Sequence, residues 1–253
     1  MSRPVSTVPL RTWLATYLRL LGVQGSWNYE TLLGNGIGFA VEPVLRRLPG
    51  GRDGPEYARA LARQSGYFNA HPYLASVAVG AVARAELDGV EPATIERFRQ
   101  ALCGPLGSLG DQLVWAAWLP FCSLLALSVF GLGGSPLAVV LTFLITYNVG
   151  HFALRGWGLS IGFRRGLGVA RDLSNPLLRG APLHVVRAAT LLAGFAVPLT
   201  IHRAVGAELS LALYTAAAAF AGALLVGLIA GRSQGWRLAL GAMALLVLFG
   251  VTR

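Results

Sequence analysis

Apolar residues near the start of the chain fall on one side of a helix. Leu10, Trp13, Leu14, Tyr17, Leu18 and Leu21 recur at i, i+3, i+4, i+7, i+8 and i+11, with Arg11 and Arg19 off that stripe. Trp and Tyr among the leucines suit a headgroup layer, so an amphipathic interfacial helix is expected. A second helix is expected over residues 29–48, interrupted by Glu42 and Pro43. Pro49-Gly50-Gly51-Arg52-Asp53-Gly54 reads as a loop, and Pro55 as the first residue of a helix running towards Gly66. Residues 74–85 are apolar and small, yet too few to cross a bilayer, which fits a buried or re-entrant helix. Pro92 opens one more helix, expected to end near Cys103-Gly104-Pro105.

From residue 113 onward the pattern loses its polar face. Residues 113–132 carry no charge over 20 positions, about the length that crosses a ~30 Å hydrocarbon core. A second apolar run, 136–154, comes after Gly133-Gly134-Ser135, so tight a turn that an antiparallel helical hairpin is expected. Further apolar runs lie at 188–201, 209–230 and 238–251, the first and last of them short for a span. The expected fold is all-α and polytopic. An interfacial and re-entrant region, 1–112, precedes a transmembrane region, 113–253, of three to five spans.

Composition agrees, with 55% hydrophobic and only 13% charged residues, against about a quarter charged in soluble domains. The net charge of +10 invites a nucleic-acid reading until it is located. Residues 1–112 hold 11 Arg against 9 acids, whereas 113–253 hold 10 Arg against 2. The excess thus lies beside the apolar runs, where cytoplasmic loops collect cations, and nucleic acid is not an expected partner. Arg155, Arg164, Arg165, Arg171, Arg179 and Arg187 fall between the second and third runs, opposed by Asp172 alone. That asymmetry places the N-terminus and the 155–187 loop in the cytoplasm. Arg11 and Arg19 break any signal-peptide core. Cys103 and Cys122 are read as buried free thiols.

Four polar clusters interrupt this apolar background: Gln24-Gly25-Ser26-Trp27-Asn28-Tyr29-Glu30, Tyr67-Phe68-Asn69-Ala70-His71-Pro72-Tyr73, Gly104-Pro105-Leu106-Gly107-Ser108-Leu109-Gly110-Asp111, and residues 148–158 with Asn148, His151 and Arg155. The third reads as irregular backbone at a membrane boundary, which makes Asp111 either a site carboxylate or a helix N-cap. In the second, amide, imidazole and aromatics are a sugar-type combination, or else a turn with Asn69 capping the next helix. Trp27 and Tyr29 suit interfacial anchors, while Gln24, Asn28 and Glu30 require another reason if buried. Arg155 is expected to snorkel, and Asn148, inside a span, needs a partner. His71 has no companion at metal spacing, and no Walker loop, Ser/His/Asp arrangement, CxxC pair or HExxH is present. No catalytic residue, metal or cofactor is expected.

In that order, the four clusters resemble the IID membrane component of the mannose/fructose/sorbose phosphotransferase system, whose segments read QGSWNxE, FFNTxP, GPLxGxGD and a late Arg-aromatic-Gly. The resemblance covers about residues 10–170. It implies a multi-pass subunit of the bacterial cytoplasmic membrane, not itself catalytic. Such a subunit pairs with a IIC protein in a hetero-oligomer that carries a hexose inward, with phosphate delivered by cytoplasmic IIA and IIB proteins. The motif residues so implied are Gln24, Trp27, Asn28, Glu30, Asn69, His71, Gly104, Pro105, Gly110 and Asp111, with Asn148 and Arg155 from the fourth cluster. Two positions depart from the pattern, since Leu119 and His151 stand where the family usually has Arg. They leave a rival open, a degenerate IID that serves as a membrane sensor or scaffold without transporting sugar.

Overall fold

The computed structural model describes residues 8–205. By internal contacts the chain divides into two units, Met1–Val197 and Pro198–Arg253. The described elements are helical and belong to the first unit, except that the last runs on into the second. They are α1 (Leu10–Leu20), α2 (Gly34–Leu45), α3 (Pro55–Ser65), α4 (Ala75–Leu87), α5 (Pro92–Gly110), a π-helical segment (Asp111–Trp118), α6 (Leu119–Gly131), α7 (Pro136–Arg165), α8 (Val169–Leu173) and α9 (Pro176–Val205). Isolated bridges join Asn28 to Leu32 and Leu32 to Phe68. Among the described residues, three helical stretches are long and apolar enough to cross a membrane: Pro92–Gly131, Pro136–Leu173 and Pro176–Ala204. The chain is an all-α membrane protein. The runs at 209–230 and 238–251 lie outside the described residues.

Two expectations for the N-terminal half fail because polar groups elsewhere take over backbone partners. Pro43 does not interrupt α2, which runs through Glu42 and Pro43 to Leu45. Proline lacks the N–H that would bond the carbonyl four residues back. Here that carbonyl, Phe39 O, accepts instead from Arg19 Nη1 at 3.0 Å. The segment before Gly34, expected to be helical from Tyr29, is a turn in which Asn28 Oδ1 accepts from the backbone N–H of Glu30 and Thr31. On α1, Leu10, Leu14, Leu18 and Leu21 are exposed, whereas Thr16 and Leu20 are buried. The leucines of the stripe therefore face away from the rest of the unit, while its Trp13 and Tyr17 pack against the core.

Two buried carboxylates hold this half together. Glu42 accepts from Arg19, Arg46, Arg52 and Tyr57, at 2.7–2.9 Å for the shortest contact with each. Glu86 receives both Arg63 Nε (3.0 Å) and Nη2 (2.8 Å), and Gln64 Nε2 at 2.6 Å. Arg99 of α5 donates to the carbonyls of Arg63, Gln64 and Gly66, satisfying the C-terminal end of α3. Burial alone would raise the Glu42 pKa, but the hydrogen bonds from Arg46, Tyr57 and Arg52 bring it from 4.5 down to about 2.

Helix α4 is buried nearly all round and packs on α7 through glycines. A Cβ on Gly80 would strike the backbone of Leu159, Gly162 and Phe163. One on Gly158 would strike Ser76, and one on Gly162 the backbone of Val77 and Ala81. Small residues let backbones approach closely where lipid removes any hydrophobic drive between helices. The expected hairpin forms between α6 and α7, with Gly133 in the left-handed region at φ 95°. Helix α7 then continues to Arg165, so much of the expected 155–187 loop is helical.

The Glu42 carboxylate is favoured by the fold, so its contribution is complete above pH 4.5 and is lost as pH falls towards about 2. Glu42→Gln leaves three arginines short of their acceptor; since Arg46 and Arg52 reach solvent, it should destabilise the detergent-solubilised protein by about 1–3 kcal/mol at neutral pH. It should also flatten the loss of melting temperature between pH 4.5 and 2. An unchanged acid profile in the variant would remove Glu42 from this role.

Candidate functional site

The second cluster is fixed from its backbone outward. Phe68 N–H donates to Thr31 O, and Leu33 N–H to Phe68 O, so the 67–72 loop is laced to the turn ahead of α2. Leu32, within that turn, has φ 50°. The Arg99 guanidinium covers the Phe68 ring, 5.6 Å from its centroid. His71 is only 2% exposed. Its Nδ1 accepts from Tyr73 N–H at 3.2 Å. In the neutral ring the proton therefore sits on Nε2, which is buried and has no partner among the described residues. Burial, then the nearby Arg155 charge, lowers the His71 pKa to about 4, so the ring is neutral at physiological pH.

The third cluster meets the second in one cavity of about 380 Å³, lined by Tyr67, Asn69 and His71 on one side and by Gly104, Ser108 and Asp111 on the other. The Gly/Pro-rich stretch is not the irregular backbone its composition suggests. Instead α5 runs through Gly104 and Pro105 to Gly110 and continues into the π segment. Asp111 is accordingly no N-cap, because helix precedes it. It is exposed on the cavity wall. Asn69 caps nothing either, since α4 begins after Leu74 without a side-chain cap. Gly110 is required by its neighbour, for a Cβ there would collide with the His71 Cβ and ring. Gly104 faces open space, and Pro105 lines an adjoining cavity with Gln112 and Arg179.

The fourth cluster lies behind the second. Arg155 does not snorkel: it is 2% exposed, donates from Nη1 to Leu20 O, and stacks over Tyr73 at 4.8 Å. Leu20, at the end of α1, and Tyr73, ahead of α4, are the neighbours that bury it. Asn148 finds its partners within its own helix, Leu144 O at 2.8 Å and His151 Nδ1 at 3.4 Å. Tyr73 stacks on His151 at 4.3 Å, and its hydroxyl meets that of Tyr147 at 2.9 Å. Tyr73, Trp118, His151 and Trp157 line a second cavity of about 330 Å³. Trp115, from the π segment, sets its ring at 5.5 Å from His71. Sequence reasoning did not single out Trp115, Trp118 or Tyr147, because aromatics within apolar runs carry no local sign of a cavity.

The first cluster is not brought to either cavity. Gln24 and Glu30 are exposed, as are Trp27 at 47% and Tyr29 at 90%, whose rings meet edge to face. Asn28 shapes the turn ahead of α2.

Gly110 and Gly104 share a motif but differ in surroundings. Gly→Ala in a helix ordinarily stabilises by about 0.5–1 kcal/mol. Gly104→Ala should obey that rule. Gly110→Ala should instead destabilise by about 1–3 kcal/mol, as overpacking against His71 does. Equal melting temperatures for the two variants in detergent would contradict the close contact.

Residues 8–230 match the family model described as the PTS system mannose/fructose/sorbose family IID component. The sorbose-specific EIID component of Lacticaseibacillus casei is 31% identical over 163 residues, covering 62% of this chain and 56% of that protein. The mannose-specific EIID component of Escherichia coli K12 is 28% identical over 169 residues, covering 64% and 58%. The matched stretch thus spans less than two thirds of these relatives. Among solved structures, the mannose transporter ManYZ in complex with microcin E492 aligns with TM-score 0.58 and 24% identity over 74% of this chain and 69% of that one. A second structure, described only as a membrane protein, aligns with TM-score 0.71 and 19% identity over 98% of both chains. At those identities the structural likeness speaks to the fold. The family match rests on most of the sequence, and the chain belongs to the mannose/fructose/sorbose family of phosphotransferase-system IID components.

Proposed function

We propose that this chain is the IID half of a sugar permease. It pairs with a IIC membrane subunit to carry a hexose of the mannose/fructose/sorbose class inward, and a IIB protein, charged by IIA, phosphorylates the sugar. The observation that supports this reading is the meeting of two separate motifs, Asn69 with His71 and Gly104 with Asp111, around one cavity. The Asn69 amide, the Asp111 carboxylate and the Ser108 hydroxyl suit sugar hydroxyls, which both donate and accept. Tyr67 offers a ring beside them. The exposed Gln24, Trp27 and Glu30 belong in this reading to the partner-facing surface, since they lie outside both cavities. The chain supplies binding groups and no phosphorylated residue.

Asp111→Asn tests the site directly. Asp111 is exposed and caps no helix, so the variant should fold normally. Co-expressed with a IIC partner, it should lower hexose uptake at least about tenfold, as the loss of a charged hydrogen bond to ligand does. Wild-type uptake would remove Asp111 from the sugar path. Retention of the IIC complex by a wild-type chain that moves no sugar would favour the sensor or scaffold reading.

The orientation belongs to the same proposal, with the chain in the bacterial inner membrane and its N-terminus cytoplasmic. Arg164, Arg165, Arg171 and Arg179 lie towards and beyond the end of α7, where cytoplasmic cations gather. On intact cells, Leu132→Cys should react with an impermeant maleimide, and Asn175→Cys only after permeabilisation. The reverse pattern would invert the topology.

A further inference from the structure

Beyond the motif cavities, the far end of α7 forms a third, basic hollow. About 260 Å³ is enclosed by Arg84 of α4, Asp88 just beyond its end, Arg164 and Arg165 of α7, and the turn holding Gly166 and Gly168. Placement of cations at a membrane boundary accounts for arginines being there. It does not account for how they are held. Each guanidinium is tethered through Nε: Arg84 to Asp88 Oδ2 at 2.6 Å, Arg165 to Asp172 Oδ2 at 3.3 Å, and Arg164 to Ser160 O at 3.4 Å. No hydrogen bond among the described residues uses their Nη atoms, and those atoms are not buried orphans. The edge that grips phosphate in a fork is thereby left open on three neighbouring side chains. The floor is kept low: Gly166 has φ 52° and lies under the Arg84 stem, while Gly168 borders open space.

Depth along α7 places the hollow at lipid headgroups. Leu137, Val140, Leu144, Ile145, Val149 and Phe152 are exposed, the surface that acyl chains would cover. At 1.5 Å per residue, ~30 Å of hydrocarbon beginning at Leu137 ends near Trp157, and Arg164 lies about 10 Å further on. Helical side chains lean towards the N-terminus. The Arg164–Ser160 contact shows that lean, which returns its guanidinium towards the bilayer.

We propose that this hollow binds the phosphate of an anionic phospholipid, whose chains lie along the exposed face of α7. Basic pockets between membrane helices are suited to such headgroups. The site is separate from the Asn69–Asp111 cavity, and its failure would leave the sugar-site reading untouched.

The test uses the full-length chain in nanodiscs. Phosphatidylglycerol should raise the melting temperature above that in phosphatidylcholine, and native mass spectrometry should retain phosphatidylglycerol on the folded protein. Arg164→Gln with Arg165→Gln should weaken that retention about thirtyfold, the effect of removing two cations at an anionic surface. The matched Lys pair, which keeps charge but loses the fork, should fall between, and it serves as the readout if the Gln pair is not monodisperse. Arg59→Gln, an exposed arginine elsewhere, should change nothing. Undiminished retention by the Gln pair, or an equal loss with Arg59→Gln, would overturn the proposal. Equal stabilisation by inorganic phosphate in phosphatidylcholine discs would also overturn it, by assigning the hollow to a free anion.

Discussion

Gly80 of α4 lies against the backbone of Leu159, Gly162 and Phe163, and Gly158 and Gly162 of α7 lie against Ser76, Val77 and Ala81, at distances no side chain on either surface would permit. Helix α4 has 13 residues, far short of a span, and almost every one from Ala75 to Glu86 is buried. It can be buried only if a longer helix receives it at close range, which is what the glycines of α7 provide. The site depends on that approach. Tyr73, two residues before the start of α4, reaches His151 and Arg155 on α7 because the two backbones are so close. His71 is in turn pressed against Gly110 of α5, so three helices share one dense junction.

Buried charge around that junction is handled in two ways. Glu42 and Glu86 are surrounded by cations and other donors and tie together helices far apart in sequence. Arg155 is treated differently. It has no carboxylate partner among the described residues and rests on a backbone carbonyl and an aromatic face. Such a cation raises the local potential, and it is one cause of the depressed His71 pKa. The neutrality of His71 is therefore built in part from a helix on the other side of the junction.

Much of this architecture is legible in the sequence because its causes are local. The stripe of α1, the glycine-rich loop before Pro55, the short buried α4 and the Gly133 turn all depend on residues within a few positions of one another. The departures depend on distant donors or neighbours. Pro43 passes inside α2 because Arg19, on another helix, bonds the carbonyl that proline frees. Helix α5 proceeds through Gly104 and Pro105, although composition alone argues for a break. Arg155 reads as a snorkelling cation until Leu20 and Tyr73 are brought against it. The candidate site shows the same division. The clusters are visible as clusters, while the meeting of Asn69 and His71 with Asp111 depends on a fold that no spacing encodes.

The π segment gives that meeting its particular form. An α-helix continued unchanged from α5 would present residues after Gly110 at a steady 100° per step, whereas the wider turns of Asp111–Trp118 alter the phase before α6 resumes. In the structure, Asp111 faces one cavity, Trp115 meets His71, and Trp118 occupies the space left by Gly150 at the other cavity. The partition between the cavities is thus made by His71 and Tyr73, joined through the His71 Nδ1 hydrogen bond, and by π-segment residues. Local π turns cost helix geometry and recur at functional sites. Here the turn is what lets a single helix line a polar cavity with a carboxylate and, about two turns later, an apolar one with an indole.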